Sequence, residues 1–287
     1  YKVTGVQTCA LPISDFRDPM AQDGYPTDPL TWRQFADIEA AAARQASLLA
    51  FTTPSALRDY QARYPQAAAK MVVLENGYDE PSFANAERRL GTATPLNPGR
   101  TTLLHSGIVY PSERDPTQLI EALALLKAQG AGARLVVRFR AAVHDELLRT
   151  LAAQHGVAEM VEILPAVPYG EALAEMLRAD GLLVMQASNC NQQVPAKLYE
   201  YLRARRPVLC LSDAAGDTWE VLRRAGLDRM AALDRPQEIA TLLGGLLAHG
   251  AQGLMAEPAA VAAASRAARS EEHTAELQSP CNLVCRL

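Results

Sequence analysis

From Thr101 onward, short unbroken apolar runs alternate with longer segments whose apolar positions recur at helical spacing. "TTLLHSGIV" reads as a strand. "DPTQLIEALALLKAQG" reads as a helix that opens near Asp115 and Pro116, keeps Leu119, Leu123 and Leu126 on one face and stops at Gly130. "RLVVRF", "VEILPAV", "GLLVMQA" and "PVLCLS" are further strands by the same reading, and "VHDELLRTLAAQHG", "YGEALAEMLRA", "PAKLYEYLRA" and "DTWEVLRRAG" are the intervening helices. Apolar strands separated by helices of about three turns imply βαβ units around a parallel sheet buried on both faces. The expected architecture of this part is a doubly wound α/β domain.

The preceding stretch has a different pattern. Residues 31–51, "TWRQFADIEAAAARQASLLAF", read as one alanine-rich helix, followed by "TTPSALRDYQARYP" and the strand-like "KMVVLENGYD". These are too few strands to close a sheet, so the segment is expected to be the last part of a second α/β domain. "NAERRLGTATPLNPGR", with its Pro, Gly and Thr, is the expected linker. The organisation inferred is residues 15–95 for the incomplete domain and linker, 96–253 for the complete domain, and 254–268 for an alanine-dominated terminal helix.

The two ends are set apart from this reading. "VTGVQTCALPI", Val3 to Ile13, and "RSEEHTAELQS", residues 269–279, correspond to the two strands of one DNA element, apart from Ala275. Residues 1–14 and 269–287 are therefore expected to be translated sequencing-adapter tails, and the remainder a fragment truncated at both ends. Three of the five cysteines, Cys9, Cys281 and Cys285, fall in those tails. Cys190 and Cys210 alone make neither a disulfide framework nor a metal-ligand spacing, which fits a reducing cytoplasm. The formal net charge of −4 gives no general attraction for nucleic acid. No apolar run approaches the roughly 18 residues of a membrane span.

Chemistry concentrates in "SNCNQQVPAKLYEYL", where the chain leaves an apolar strand and enters a helix. Open α/β sheets bind ligands at such places. Pro195 suits a first helical turn, and the amides around Gln193, Val194 and Ala196 would face outward from a positive dipole end that favours a phosphate. Lys197 adds a positive charge, and Glu200, one turn on, would accept hydrogen bonds from paired sugar hydroxyls. Leu198, Tyr201 and Leu202 take the core-facing side. A capped helix with an exposed Lys197–Glu200 pair, contributing about 0.2–0.5 kcal/mol, explains the same residues without a ligand.

"VPAKLYEYLRARRPVLCL" resembles the donor-site segment of the GT-B glycosyltransferases, in particular the GT4-like (group 1) enzymes, through Pro195, Lys197, Glu200 and Pro207. "LLHSGIVY" resembles the first strand and glycine turn of the same domain, "VVLENGYD" the segment that closes the N-terminal domain, and "DFRDPM" an aspartate-rich strand end within it. The similarity runs in order through nearly all of residues 15–250. It departs from the commoner pattern at Gln192, where many such enzymes carry a second glutamate. The resemblance implies a GT-B fold of two Rossmann-like, doubly wound parallel-sheet domains, the N-terminal one incomplete. It further implies transfer of a sugar from a nucleotide-diphosphate sugar to a glycan or lipid-linked acceptor, as in cell-surface polysaccharide biosynthesis, with retention and without a metal or other cofactor. The donor-binding residues would be Gly107, Gln192, Gln193, Val194, Lys197 and Glu200. Catalytic residues stay unassigned: the family's frequent N-terminal histidine has no candidate before His105, so the fragment itself is expected to be inactive. The implied location is cytoplasmic, at the inner face of the membrane if the enzyme associates with it peripherally.

A non-catalytic α/β nucleotide- or anion-binding domain remains an alternative. So does a nucleotide-sugar epimerase of the same architecture, although the carboxylates and histidines it needs around the sugar are not found. No G-x-G-x-x-G follows a predicted strand, which disfavours a dinucleotide oxidoreductase. Gly107 reads equally as a ligand-approach turn or an ordinary one. Arg114 could reach a phosphate but reads rather as a solvated loop arginine, and Arg138 and Arg140, on one side of a strand end, either border the cleft or decorate the rim, with the rim preferred. Cys190 reads as a packing residue. His105, His144 and His155 have no nucleophile or carboxylate at suggestive spacing.

Overall fold

The computed structural model describes residues 12–92 and 94–270. The chain divides into two compact units, Tyr1–Glu75 and Asn76–Leu287. The tail cysteines Cys9, Cys281 and Cys285 lie outside the described residues, as does most of both sequence-inferred tails. Ile13 and Ser14, grouped with the first tail, lie in a strand, and Arg269 donates to the Asn76 carbonyl.

The first unit contains β1 (Ile13–Phe16), α1 (Pro29–Gln45), β2 (Leu48–Phe51), α2 (Pro54–Arg63) and β3 (Met71–Val73). Residues 31–51 are therefore not one helix: α1 stops at Ala46, whose backbone is extended, and "LLAF" is a strand. The physical reason is burial. Leu49, Ala50 and Phe51 are almost wholly enclosed in the middle strand of a parallel sheet, and an apolar run hidden on both faces carries no period that separates strand from helix. The three strands, in order β1-β2-β3, do form a sheet of their own, contrary to expectation. Asp28 and Thr53 cap the two helices by accepting from the Thr31 and Ala56 amides. Phe16 stacks on Phe51 with the Tyr60 ring tilted against both, and the buried Glu39 carboxylate is satisfied by the Ala21 amide, Arg63 and the Tyr60 and Tyr64 hydroxyls.

The second unit begins with α3 (Glu80–Leu90), which takes up the first part of the segment expected to be linker. Then follow β4 (Thr101–Ser106), α4 (Thr117–Ala128), β5 (Leu135–Arg140), α5 (Asp145–Gln154), β6 (Val161–Leu164), α6 (Tyr169–Arg178) and β7 (Gly181–Met185). The unit ends with α7 (Lys197–Ala204), β8 (Val208–Leu211), α8 (Asp217–Arg224), α9 (Pro236–His249) and α10 (Pro258–Ala263). The strands form one parallel sheet in the order β6-β5-β4-β7-β8. Leu103, Val137, Phe139 and Leu183 face the layer of α4, α5 and α9, whereas Leu104, Leu182, Val184 and Val208 face that of α3, α6, α7 and α8. All five residues of β7 are buried, as a central strand covered on both faces requires. Asp115 accepts from the Thr117 amide at the start of α4, and Gly130, at φ +81°, follows its end. Arg203 on α7 is clamped by Glu80 and Glu87 of α3 and lies over the Phe83 ring, which fixes the helix that carries the donor-site candidates.

Candidate functional site

The strand order of the second unit reverses beside β4, with β5 and β6 on one side and β7 and β8 on the other. At such a point the loops leaving adjacent strands run in opposite directions, and a crevice opens beyond the carboxyl ends. The segments leaving β4 and β7 are residues 107–116 and 186–196, and they carry most of the candidates from the sequence.

Buried polar groups hold these segments in place. The Gln186 amide donates to Cys190 O at 2.8 Å and Gln193 O at 2.9 Å, and its carbonyl accepts from the Thr218 hydroxyl. Asn191 donates to Asp213 at 2.8 Å and accepts the Asp217 amide at 2.9 Å, which ties the loop to the start of α8. The Ala187 amide donates to Glu113 O at 2.7 Å, and Asn189 to Ser112 O at 2.9 Å. The two strand-end loops are thus joined to each other and to the start of α8.

Lys197 lies at the centre of this site. Its Nζ donates to Ser106 O at 2.9 Å and lies 3.1 Å from His105 Nε2. Gly107, with φ at +115°, passes so close that a Cβ there would lie 3.4 Å from Nζ. The positive φ favours glycine at this turn, and a Cβ there would be in ordinary van der Waals contact with Nζ. Burial, helped by the positive charge of Arg114, pushes the Lys197 ammonium down to about 7. His105 is completely buried, and its Nδ1 lies 3.0 Å from Leu183 O. A carbonyl only accepts, so Nδ1 carries the ring proton and Nε2 accepts from Lys197. Burial first, and the Lys197 charge second, hold the imidazole well below its usual range and keep it neutral.

Arg114 is not the solvated arginine expected. It lies over Tyr110 at 5.2 Å, its Nη1 is 3.5 Å from Ile108 O, and its Nε is enclosed with no partner among the described residues. The amides are arranged differently from expectation as well. Gly107 N–H donates to Arg140 O at 2.8 Å and Gln193 N–H to Cys190 O at 2.9 Å, because continuing strand and turn pairing takes them up. Gly107 therefore contributes space, and Gln193 contributes loop geometry. Helix α7 opens at Lys197, with Ala196 at its cap and Pro195 O accepting the Leu198 amide at 2.8 Å. Among the described residues the Val194 and Ala196 amides donate to no backbone carbonyl. The Val194 side chain is buried, and Gln192 is half-buried in the same loop.

Glu200, one turn after Lys197, accepts from the Tyr169 hydroxyl at 2.8 Å. Burial raises its pKa, and the Tyr169 hydrogen bond opposes that rise. The two candidate side chains are therefore anchored to different elements, Lys197 to β4 and Glu200 to α6. Leu198, Tyr201 and Leu202 pack into the core as expected. Arg138 and Arg140 do not decorate the rim: they converge on the buried Glu175 at 2.9 and 2.7 Å, and Arg138 also pairs with Glu162 at 2.7 Å. Sequence reasoning missed His105, Tyr169 and Gln186 as parts of the site. The one available signal was a histidine inside an otherwise apolar strand, since a buried imidazole needs partners.

Cys190 and Cys210 are both buried and unbridged, and among the described residues no group of three or more His, Cys, Asp or Glu side chains is placed to hold a metal ion. No protein-family model matches the sequence, and no curated protein matches it. Solved structures do match. Anabaena HepE in complex with UDP-glucose is 17% identical, with 94% of this chain and 72% of that chain covered at a TM-score of 0.63. WaaG, a glycosyltransferase involved in lipopolysaccharide biosynthesis, is 17% identical over 90% of this chain and 71% of its own, also at 0.63. An α,α-trehalose 6-phosphate synthase from Burkholderia multivorans is 12% identical, over 95% of this chain and 66% of its own, at 0.72. The chain is therefore similar in fold to the GT-B glycosyltransferases, α/β proteins with parallel sheets in two Rossmann-like domains.

Proposed function

We propose that the chain is part of a nucleotide-sugar-dependent glycosyltransferase whose donor site lies at the switch point of the second unit. One observation carries this reading: the Lys197 ammonium is held on Ser106 O beside the Gly107 turn, one helical turn before the Glu200 carboxylate. A cation, a turn that admits close approach and a carboxylate in that order match a diphosphate followed by a ribose. Lys197, with Arg114 nearby and the Val194 and Ala196 amides before α7, would stabilise charge developing on the departing nucleoside diphosphate. Such fixed donors act in place of a cation because they need little reorganisation as charge forms. Glu200, steadied by Tyr169, would accept from the ribose hydroxyls.

The remaining features rest on the family resemblance: retention at the anomeric carbon, independence of metal, a glycan or lipid-linked acceptor, and work in the cytoplasm at the inner membrane surface. Among the described residues no helix is long and apolar enough to cross a membrane. The test is calorimetric titration of the full chain with UDP, GDP, ADP and dTDP, with Lys197→Met and Glu200→Ala alongside. Saturable binding of one nucleotide, weakened in both variants, supports the site. Absence of binding by the folded chain would falsify it.

A further inference from the structure

We propose that His105 is a positioning residue of the donor site, holding the Lys197 ammonium at the Gly107 turn through its unprotonated Nε2. The inference rests on the reading of Lys197 as a ligand for the diphosphate. An ammonium has three N–H bonds. Ser106 O and His105 Nε2, at 2.9 and 3.1 Å, take two of them and leave one to meet an anion.

Both anchors are themselves fixed. The Ser106 amide donates to the Tyr201 hydroxyl at 2.9 Å, and the Gly107 amide, in the same peptide unit as the acceptor Ser106 O, donates to Arg140 O at 2.8 Å. The His105 ring is wholly enclosed, lies 5.9 Å from the Phe139 ring and is bonded through Nδ1 to Leu183 O of the neighbouring strand. It cannot turn toward water, and the Leu183 carbonyl favours a proton on Nδ1, which leaves Nε2 to accept from Lys197. The charged and titratable groups around Nζ are Arg114 from the loop after β4, Glu200 from α7, the neutral His105 from β4 and the Tyr201 hydroxyl behind Ser106. Arg114 disfavours the ammonium. An acceptor on Nζ favours it, because a hydrogen bond to a charged group supports the charged form.

The test is UDP affinity of the full chain across about pH 5 to 9, a span chosen to bracket the depressed lysine, in wild type, His105→Phe, His105→Gln, Lys197→Met and the His105→Phe/Lys197→Met double variant. Wild-type affinity should fall as Lys197 loses its proton. His105→Phe should weaken binding about ten-fold and move that alkaline limb down by about one pH unit, the scale of one charge-assisted hydrogen bond. His105→Gln, whose Oε1 can occupy the place of Nε2, should restore both. In the Lys197→Met background, His105→Phe should add nothing. A His105→Phe chain that binds UDP as wild type with an unmoved limb, or a loss that adds fully to that of Lys197→Met, overturns the proposal. If Lys197→Met itself binds as wild type, or wild type does not bind, the donor-site reading fails and His105 falls with it. Imidazole ¹⁵N shifts of the wild-type chain give a check that needs no variant to fold: a proton on Nδ1 is expected, and a proton on Nε2 overturns the proposal.

Discussion

The Tyr169 hydroxyl donates to the Glu200 carboxylate at 2.8 Å, across 31 residues of sequence, and so holds one of its two oxygens. In the proposed donor site the other oxygen would accept from the ligand. Tyr169→Phe should weaken nucleotide binding by about three- to ten-fold, the range for one hydrogen bond that positions a charged group. Because burial already raises the Glu200 pKa and the tyrosine opposes that rise, the variant should lose affinity at a higher pH on acidification than wild type does. Isothermal titration across mildly acidic pH checks both effects.

Lys197 carries a stability cost that its proposed role explains. Its folded pKa of about 7 lies below the ordinary 10.5, so above pH 7 the unfolded state binds more protons. Stability contributed by this group therefore rises with pH from about 7 toward 10.5 and is lost as pH falls through 7. Lys197→Met should raise the stability of the second unit at pH 6 by about 1–3 kcal/mol while abolishing tight diphosphate binding, as replacing a buried charge with an apolar side chain often does. Urea unfolding at pH 6 and pH 9 measures it, and a larger gain at the higher pH contradicts the assignment.

Gly107→Ala tests the close approach. The positive φ should cost about 1–2 kcal/mol in an alanine, and the new methyl would lie against the Lys197 ammonium at 3.4 Å, on the side a ligand would approach. Thermal melting should show the stability loss. Titration should show a fall in UDP affinity larger than that of a surface control such as Gly130→Ala, where φ is also positive but the space is open.

Glu175 joins β5 to α6 through Arg138 and Arg140. Burial raises its pKa, yet the hydrogen bonds from Arg140 and Arg138 outweigh burial and leave it below the ordinary value. Its contribution to stability is therefore present above the usual carboxylate range and lost as pH falls through the lowered pKa. Glu175→Gln leaves Arg140 without its anion and Arg138 with Glu162 alone, and should cost about 3–5 kcal/mol at neutral pH. Chemical denaturation followed by circular dichroism measures the loss, and an unchanged midpoint would show that the pair is better solvated than its burial indicates.

The α/β class, the order of elements from β4 to α8 and the core face of α7 were legible in the sequence. The local alternation of apolar runs and helical periods follows directly from burying a parallel sheet on both faces. Lys197, Glu200 and Gly107 were legible as candidates because a strand end leading into a helix is a local feature. What each of them touches was decided only by the tertiary structure. His105 and Lys197 are 92 residues apart, and the contact exists because β4 and β7 are neighbours at the reversal of strand order, which no local spacing encodes. The same holds for Tyr169 with Glu200, for Arg138 and Arg140 with Glu175, and for the Gly107 amide, which the neighbouring strand takes up. "LLAF" was misread because a run enclosed on both faces has no periodicity, and only its pairing with β1 and β3 makes it a strand. Periodicity is a property of neighbouring residues and survives in one dimension, whereas a hydrogen bond between strand ends depends on which strands the fold sets side by side.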